Sequence, residues 1–138
     1  MASSNFWNTV LHHPDRDAFG KARNLLPHLR DVKAAVLTEG GWFDNENLFG
    51  SINTFKAIES QSPGAQNSVV LGPWDHGTWR EQAIPRPGRP NGDQLSAIRF
   101  GQRLSLDFQE KFELPFLRHY LKGQGDFTPP KVWAFRTG

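Results

Sequence analysis

Two short segments of the sequence carry an ionisable residue beside glycine and tryptophan. Residues 40–44 read GGWFD and residues 72–77 read GPWDHG. A carboxylate that accepts a hydrogen bond from an imidazole orients the ring and stabilises its protonated form, as the acid and base of a serine hydrolase do. The two segments therefore indicate Asp44 as the acid and His76 as the base.

Each of the two residues also has a simpler interpretation. Asp44 lies a few positions before a predicted helix and could cap it, because a side-chain oxygen at a helix start accepts the first free amides. His76 could be an ordinary loop histidine. Asp75 is a rival acid, although neighbours in sequence point apart, and we rank it second. The tryptophans of the two segments and Trp79 could line an acyl pocket or belong to the core.

The segments that precede these loops predict how the loops are positioned. Residues 33–39 form an apolar run after a charged lead-in, and residues 68–74 form a second one, as buried parallel strands do. Gly40 and Gly41 are expected to end the first strand. From Asn47 apolar residues recur at helical spacing, and SPG at 62–64 stops that helix. Strand, helix and strand form a βαβ unit, so both loops should leave the same edge of a parallel sheet.

The rest of the chain suggests further elements around this unit. Residues 15–30 predict a helix or helix-turn broken at Pro27, and residues 80–94, rich in proline and glycine, predict a loop. Apolar positions from Ile98 to Phe112 predict a helix that Pro115 interrupts, with a last helical piece ending at Gly123. The tail KVWAFRTG alternates like an antiparallel strand of a following domain.

A nucleophile for this acid and base is missing from the sequence. In α/β-hydrolases the order along the chain is serine, acid, histidine, and the serine lies in Gly-x-Ser-x-Gly between a strand and a helix. Ser3 and Ser4 lie in a terminal tail, Ser51 lies inside the predicted helix, and the other serines fit no better. We therefore expect the chain to be a C-terminal portion of a longer hydrolase.

Composition narrows the class of protein. A chain of 138 residues with 37% hydrophobic and 22% charged residues is typical of one globular domain. The net charge is +2 without a basic stripe interleaved with aromatics, so we expect no nucleic-acid partner. No window predicts a membrane span or a signal peptide. The absence of cysteine excludes thiol catalysis, and His12, His13 and His119 lack carboxylates at metal-ligand spacing.

The sequence resembles a known family at these motifs. GGWFDNENLFG, VVLGPWDHG and ELPFLRHYLKGQGDF are similar to the cocaine-esterase-like (CocE/NonD) hydrolases, which include X-Pro dipeptidyl-peptidases, acylases and α-amino-acid ester hydrolases. The likeness runs from about Trp7 to Gly138. It implies that Asp44 and His76 complete a Ser-Asp-His triad that cleaves ester or amide bonds without a cofactor. One departure is RDAFG at 16–20, where the family usually has aromatic-Asp-Ala-Phe-Trp, which should weaken packing there.

The resemblance also implies a division of the chain. The fold class is α/β, the C-terminal portion of an α/β-hydrolase fold with parallel strands and flanking helices, ending at the entry to a jelly roll. Residues 1–28 form the exit from a cap region, residues 29–122 complete the hydrolase core, and residues 123–138 begin the jelly-roll domain. The implied substrate is a small ester, amide or peptide, and an exposed core surface predicts self-association. The alternative is a non-catalytic binding or scaffold fragment that retains the βαβ core.

Overall fold

The structure is a computed structural model that describes residues 5–77, 79, 94–95 and 97–136. The helical elements are α1 (Asn5–His12), α2 (Ala18–Ala22), a 3-10 turn (Leu26–His28), α3 (Leu48–Gln61), α4 (Leu104–Phe108), a π-helical segment (Gln109–Glu113) and α5 (Leu114–Lys122). The strands are β1 (Val36–Gly41), β2 (Asn67–Gly72), β3 (Gln94–Leu95), β4 (Ile98–Arg99) and β5 (Val132–Ala134).

The predicted βαβ unit is present. β1 and β2 pair in parallel, with Val36 opposite Asn67 and Gly41 opposite Gly72, and α3 connects them. Every residue of β2 is buried, which explains its continuous apolar run, because a strand flanked on both sides and covered by helices meets no water. The described sheet has the order β1, β2, β5, so β2 is its central strand.

β1 begins and ends later in the sequence than predicted, at Val36 and Gly41 rather than at residues 33 and 39. Gly40 and Gly41 were expected to end the strand, and instead they are its last two residues, paired with Leu71 and Gly72. Glycine has a low strand propensity, but the pairing with buried β2 and the close approach of other groups outweigh it. A Cβ on Gly40 would lie 2.8 Å from the Leu71 side chain, so this position has no room for a larger residue.

The helix predicted from Asn47 is confirmed as α3. Ile58 is buried against the sheet, and Ser62 ends the helix with its amide bonded to the Ile58 carbonyl. The Ser62 hydroxyl also donates to the Leu29 carbonyl and accepts the Val32 amide. The end of α3 therefore holds the segment that leads into β1.

The helix predicted from Ile98 begins later and is not interrupted. Ile98 lies in the short β4, and the helical path runs from Leu104 through the π-helical segment into α5. The Leu114 amide bonds to the Gln109 carbonyl, five residues back, so the turn before Pro115 is widened. A widened turn accommodates a proline, which lacks an amide and crowds the preceding turn. Gly123 ends α5 in the left-handed conformation, as predicted.

The tail was predicted to be an antiparallel strand, and this direction is wrong. β5 pairs in parallel with β2, with Val69 opposite Val132 and Leu71 opposite Ala134. Alternation of apolar and polar residues indicates a half-buried strand but carries no information on its direction. The direction is consistent with the long connection between β2 and β5, which includes α4 and α5, because parallel strands are joined by such helical crossovers. Trp133 of β5 then contacts Phe112 of the π-helical segment, with ring centroids 3.9 Å apart.

The N-terminal segment contains less helix than predicted. Within residues 15–30 only α2 and the 3-10 turn are helical, and neither α1 nor α2 has a buried residue. Asp17 caps α2 by accepting the Gly20 amide, and the Phe19 ring lies between the stacked His13 ring and the Arg23 guanidinium. This local cluster holds the segment where the family pattern has larger aromatics.

The main core lies between β2, β5 and α4. Its fully buried residues include Val70, Trp74 and Phe108. The predicted loop at 80–94 lies outside the described residues except for Gln94, which belongs to β3. Within the described ranges, no helix has the length and apolar character needed to cross a membrane.

Candidate active site

The two glycine-tryptophan loops leave adjacent strands at the same edge of the sheet. Hydrogen bonding between them continues past the strand ends, since the Trp42 amide donates to the Gly72 carbonyl (2.8 Å) and the Phe43 amide donates to the Trp74 carbonyl (3.2 Å). The carboxyl edge of a parallel sheet is where ligands of such folds bind. The loops therefore place Asp44 and His76 at the edge of the sheet where a substrate can bind.

Asp44 uses its two carboxylate oxygens for two different contacts. Oδ1 accepts the amides of Glu46 (2.8 Å) and Asn47 (2.9 Å), and Oδ2 contacts Nδ1 of His76 at 3.1 Å. The Asn47 side chain makes no cap, so Asp44 holds the turn that leads into α3. The capping interpretation and the acid interpretation of Asp44 are thus compatible, because each needs a different oxygen.

The His76 ring is turned from this buried contact toward the surface. Its side chain is 54% exposed, while that of Asp44 is 3% exposed. An ionised carboxylate can only accept hydrogen bonds, so Nδ1 carries the proton in this contact and donates to Asp44 Oδ2. In the neutral ring Nε2 then keeps its lone pair, which is the form that can take a proton from a nucleophile.

The electrostatics of the pair favour an ionised acid beside a basic histidine. Burial by itself would raise the pKa of the Asp44 carboxyl, but the Glu46 and Asn47 amides and the His76 contact outweigh it and lower the pKa below its ordinary 3.8. The hydrogen bond to Asp44 raises the pKa of His76 above its ordinary 6.5, and the charges of Glu46 and Asp44 raise it further, while burial opposes them.

Asp75 does not take the place of Asp44. Nδ1 of His76 is bonded to Asp44, and the charge of Asp75 is the smallest of the influences that raise the pKa of His76. Glu46 was missed by sequence reasoning, although its charge has a larger effect than that of Asp75. The signal for it was present, since an acidic residue two positions after Asp44 must lie in the same turn.

The tryptophans separate into core and surface residues. Trp74 is 3% exposed and Trp79 packs beside it, with ring centroids 6.4 Å apart. Trp42 is exposed, and its indole nitrogen donates to the Phe135 carbonyl. Of the two interpretations left open, the core interpretation fits Trp74.

Five of the serines lie in the described residues and none has the setting of a nucleophile elbow. Ser51, Ser62, Ser68 and Ser105 are buried. Ser60 is exposed in the last turn of α3, about 20 Å along that helix from Asp44. Within the same described ranges, no group of three or more histidine, aspartate or glutamate residues could hold a metal ion.

A cleft of about 560 Å³ opens beside the carboxyl end of β5. Aromatic side chains of Phe100, Trp133 and Phe135 line it together with Arg99 and Arg136. Neither Asp44 nor His76 lines this cleft, so it is separate from the pair.

Comparisons with solved structures identify similar folds. The crystal structure of an aminopeptidase from a marine sediment Thaumarchaeota archaeon matches 100% of this chain with a TM-score of 0.84 and 30% sequence identity. An α-amino acid ester hydrolase matches 97% of the chain with a TM-score of 0.80 and 24% identity. The chain spans 22% and 21% of the lengths of these two proteins.

Sequence comparisons lead to the family. No curated protein sequence matches the chain. Residues 1–78 match the profile of the X-Pro dipeptidyl-peptidases of the S15 family. The matched range is more than half of the 138 residues and includes both Asp44 and His76. The chain therefore belongs to the X-Pro dipeptidyl-peptidase (S15) family of hydrolases.

Proposed function

We propose that Asp44 and His76 are the acid and base of a Ser-Asp-His triad that hydrolyses ester or amide bonds. The observation that carries this proposal is the contact of 3.1 Å between the buried carboxylate and the exposed imidazole, on neighbouring loops at the carboxyl edge of the sheet. The raised pKa of His76 and the lowered pKa of Asp44 support it, because both favour the ion pair that forms when the histidine accepts a proton.

The proposed reaction is acyl transfer to water. His76 Nε2 accepts the proton of a serine hydroxyl while the serine oxygen attacks the substrate carbonyl, and the protonated ring then gives that proton to the leaving alcohol or amine. A water molecule releases the acyl group by the same steps, with His76 again as base and then acid. Asp44 stays ionised and holds Nδ1–H, which keeps Nε2 directed at the serine.

The nucleophilic serine is proposed to lie outside this chain. The described serines are buried or distant from the pair, and the sequence has no Gly-x-Ser-x-Gly. Substrates are proposed to be small esters, amides or peptides, as membership of a dipeptidyl-peptidase family and similarity to an α-amino acid ester hydrolase suggest. This reaction needs no cofactor.

The division of the chain is likewise proposed. Residues 29–122 would complete the hydrolase core, residues 1–28 would lead into it from a cap, and residues 123–138 would lead toward a jelly-roll domain. The parallel pairing of β5 with β2 adds residues 132–134 to the sheet of the core.

A comparison of two chain lengths tests the proposal. The 138-residue chain should not hydrolyse p-nitrophenyl esters or amino-acid amides, and a fluorophosphonate probe should not label it. A longer chain with the preceding coding sequence should gain both properties, because it would restore the nucleophile and the oxyanion hole. In that longer chain His76→Ala should abolish turnover, while His28→Ala, which changes an exposed histidine of the 3-10 turn, should leave turnover unchanged.

Two outcomes would contradict the proposal. Stoichiometric labelling of one serine in the 138-residue chain would show that the nucleophile is already present. A folded longer chain that stays inert and unlabelled would favour the alternative, a non-catalytic binding or scaffold protein that retains the βαβ core.

A further inference from the structure

Trp74 lies two residues before His76 and is packed against the ends of β1 and β2. Its ring folds back over the end of its own strand: a Cβ placed on Gly72 would lie under 3.0 Å from three atoms of the indole. Real Cβ atoms essentially never come so close to another group. Gly72 is therefore needed so that the Trp74 ring can lie where it does.

The backbone of Trp74 approaches the other strand equally closely. A Cβ on Gly41 would lie under 3.0 Å from the carbonyl carbon and oxygen of Trp74. That same carbonyl accepts the Phe43 amide, one residue before Asp44. Trp74 thus contacts the strand and loop of the acid through its backbone carbonyl and its Cδ1 atom, and it contacts the strand of the base through the six-membered part of its ring.

The indole is also anchored from the opposite side. Its ring centroid lies 5.6 Å from that of Phe108 on α4 and 5.4 Å from that of Phe135 after β5. The Phe135 amide donates to the Leu71 carbonyl, and the Phe135 carbonyl accepts the Trp42 indole, so this anchor is itself bonded to β2 and to the loop that follows β1. Trp74 is therefore packed between the ends of β1 and β2 and two aromatic rings from later in the chain.

The size of the indole, and not its hydrogen bond, accounts for this arrangement. Within the described part of the chain, the buried Nε1 atom of Trp74 has no hydrogen-bond partner. A phenylalanine at this position would lose ring volume without leaving a broken hydrogen bond behind. Trp74→Phe therefore isolates the effect of packing on the loop that carries His76.

We propose that Trp74 is a positioning residue that holds the His76 imidazole in contact with Asp44. Trp74 itself packs on Gly41 and Gly72, whose lack of a side chain leaves room for it. The expected effect of Trp74 on turnover rests on the proposed function, whereas its effect on the placement of the His76 ring does not. The placement of the His76 ring can be measured without turnover.

The test uses the reaction of diethylpyrocarbonate with unprotonated imidazole, followed residue by residue with peptide mass spectrometry over a range of pH. The His76 midpoint is the pH at which the modification rate of His76 reaches half of its maximum. In Trp74→Phe this midpoint should fall by roughly 0.5 to 1 pH unit, because the hydrogen bond to Asp44 weakens. Asp44→Asn marks the largest shift that loss of the contact can produce. His28 in the same samples serves as the internal reference.

A matched control separates positioning from general stability. Phe112→Leu disturbs the same core cluster, but the ring of Phe112 packs on Trp133 and is not among the rings that pack on Trp74. It should lower the urea midpoint of unfolding and leave the His76 midpoint unchanged. Gly72→Ala provides a second variant that displaces the Trp74 ring from the opposite side, and it should shift the His76 midpoint in the same direction as Trp74→Phe.

The outcomes distinguish this inference from the proposed function. An unchanged His76 midpoint in either variant that remains folded, or an equal shift in Phe112→Leu, would overturn the positioning role of Trp74. In the longer chain, Trp74→Phe should lower kcat with little change in KM. A wild-type longer chain that is inert, combined with the expected shift in the His76 midpoint, would reject the proposed function and leave the positioning role intact.

Discussion

The Nδ1 atom of His76 and the Oδ2 atom of Asp44 lie 3.1 Å apart, with the carboxylate inside the protein and the imidazole at its surface. The pKa of His76 is raised above 6.5, so its part of the stabilisation is fully present below that pH and is lost as the pH rises through the raised value. The pKa of Asp44 is lowered below 3.8, so its part is present above that pH and is lost as the pH falls through the lowered value.

The first prediction follows from these two directions. His76→Ala should reduce the free energy of unfolding most between about pH 4 and 6.5, and the loss should shrink as the pH rises above that window. Urea unfolding at several pH values measures it. His28→Ala gives the effect of removing an exposed imidazole, and a loss for His76→Ala that grows toward pH 9 would contradict the prediction.

Gly41 and Gly20 form a matched pair of glycine positions. Gly41→Ala should destabilise the chain by about 1–3 kcal/mol, because its Cβ would collide with the Trp74 carbonyl. Gly20→Ala should be neutral or stabilise by up to about 1 kcal/mol, because it lies in α2 and the nearest atom to its Cβ would be 3.6 Å away. Thermal and urea unfolding of both variants measure the contrast, and equal effects would show that the close approach at Gly41 is relieved at no cost.

Phe108 is the most deeply buried aromatic residue described. Phe108→Ala should cost about 3–5 kcal/mol, because it leaves a cavity between α4 and Trp74. Phe49→Ala, which removes a largely exposed ring on α3, should change the free energy of unfolding by less than about 0.5 kcal/mol. Denaturant unfolding measures both losses: the midpoints of the two variants are compared, provided that the dependence of the unfolding free energy on denaturant concentration is unchanged. A loss below about 1 kcal/mol for Phe108→Ala would show that the neighbouring rings close the gap.

The last prediction concerns association of the 138-residue chain. Leu114, Leu117 and Leu121 are exposed at helical spacing on α5, which forms an apolar stripe. Such a stripe favours contacts between copies, so sedimentation should show a mass that increases with concentration. The double variant Leu117→Lys with Leu121→Lys should shift the chain toward the monomer.

The matched control for that experiment adds the same charge away from the stripe. Gln66→Lys and Gln102→Lys change two exposed positions outside α5, and together they should leave the association of the chain nearly unchanged. A wild-type chain that remains a monomer at every concentration, or a control that dissociates as fully as the leucine variant, would reject the stripe as the contact surface.

The sequence predicted the βαβ unit well because its signals are local. Two apolar runs and a helical repeat define β1, α3 and β2, and the chain offers few other ways to bury them. The errors arose where distant contacts decide the outcome. Gly41 stays in a strand because it pairs with β2, and β5 is parallel because it pairs with β2 after the helical crossover through α4 and α5. Neither contact can be inferred from neighbouring residues.

The site was predicted in part for the same reason. The contact of Asp44 with His76 was expected, since both follow neighbouring strands at one edge of a sheet. The use of one Asp44 oxygen for the turn amides and the other for the His76 ring was not expected, because capping and acting as the acid were treated as alternative roles of Asp44. The fit of Trp74 against two glycines was not expected either, since it depends on the geometry of two strand ends and on rings far along the chain.

The central position of β2 has a consequence for the order in which the chain is assembled on the ribosome. β1 and α3 are synthesised before β2, whereas β5 follows it after α4 and α5. During translation the first βαβ unit is therefore complete while one edge of β2 still lacks its partner. Trp74 cannot be enclosed until Phe108 and Phe135 have emerged, so the loop that carries His76 reaches its final position only at the end of synthesis of this segment.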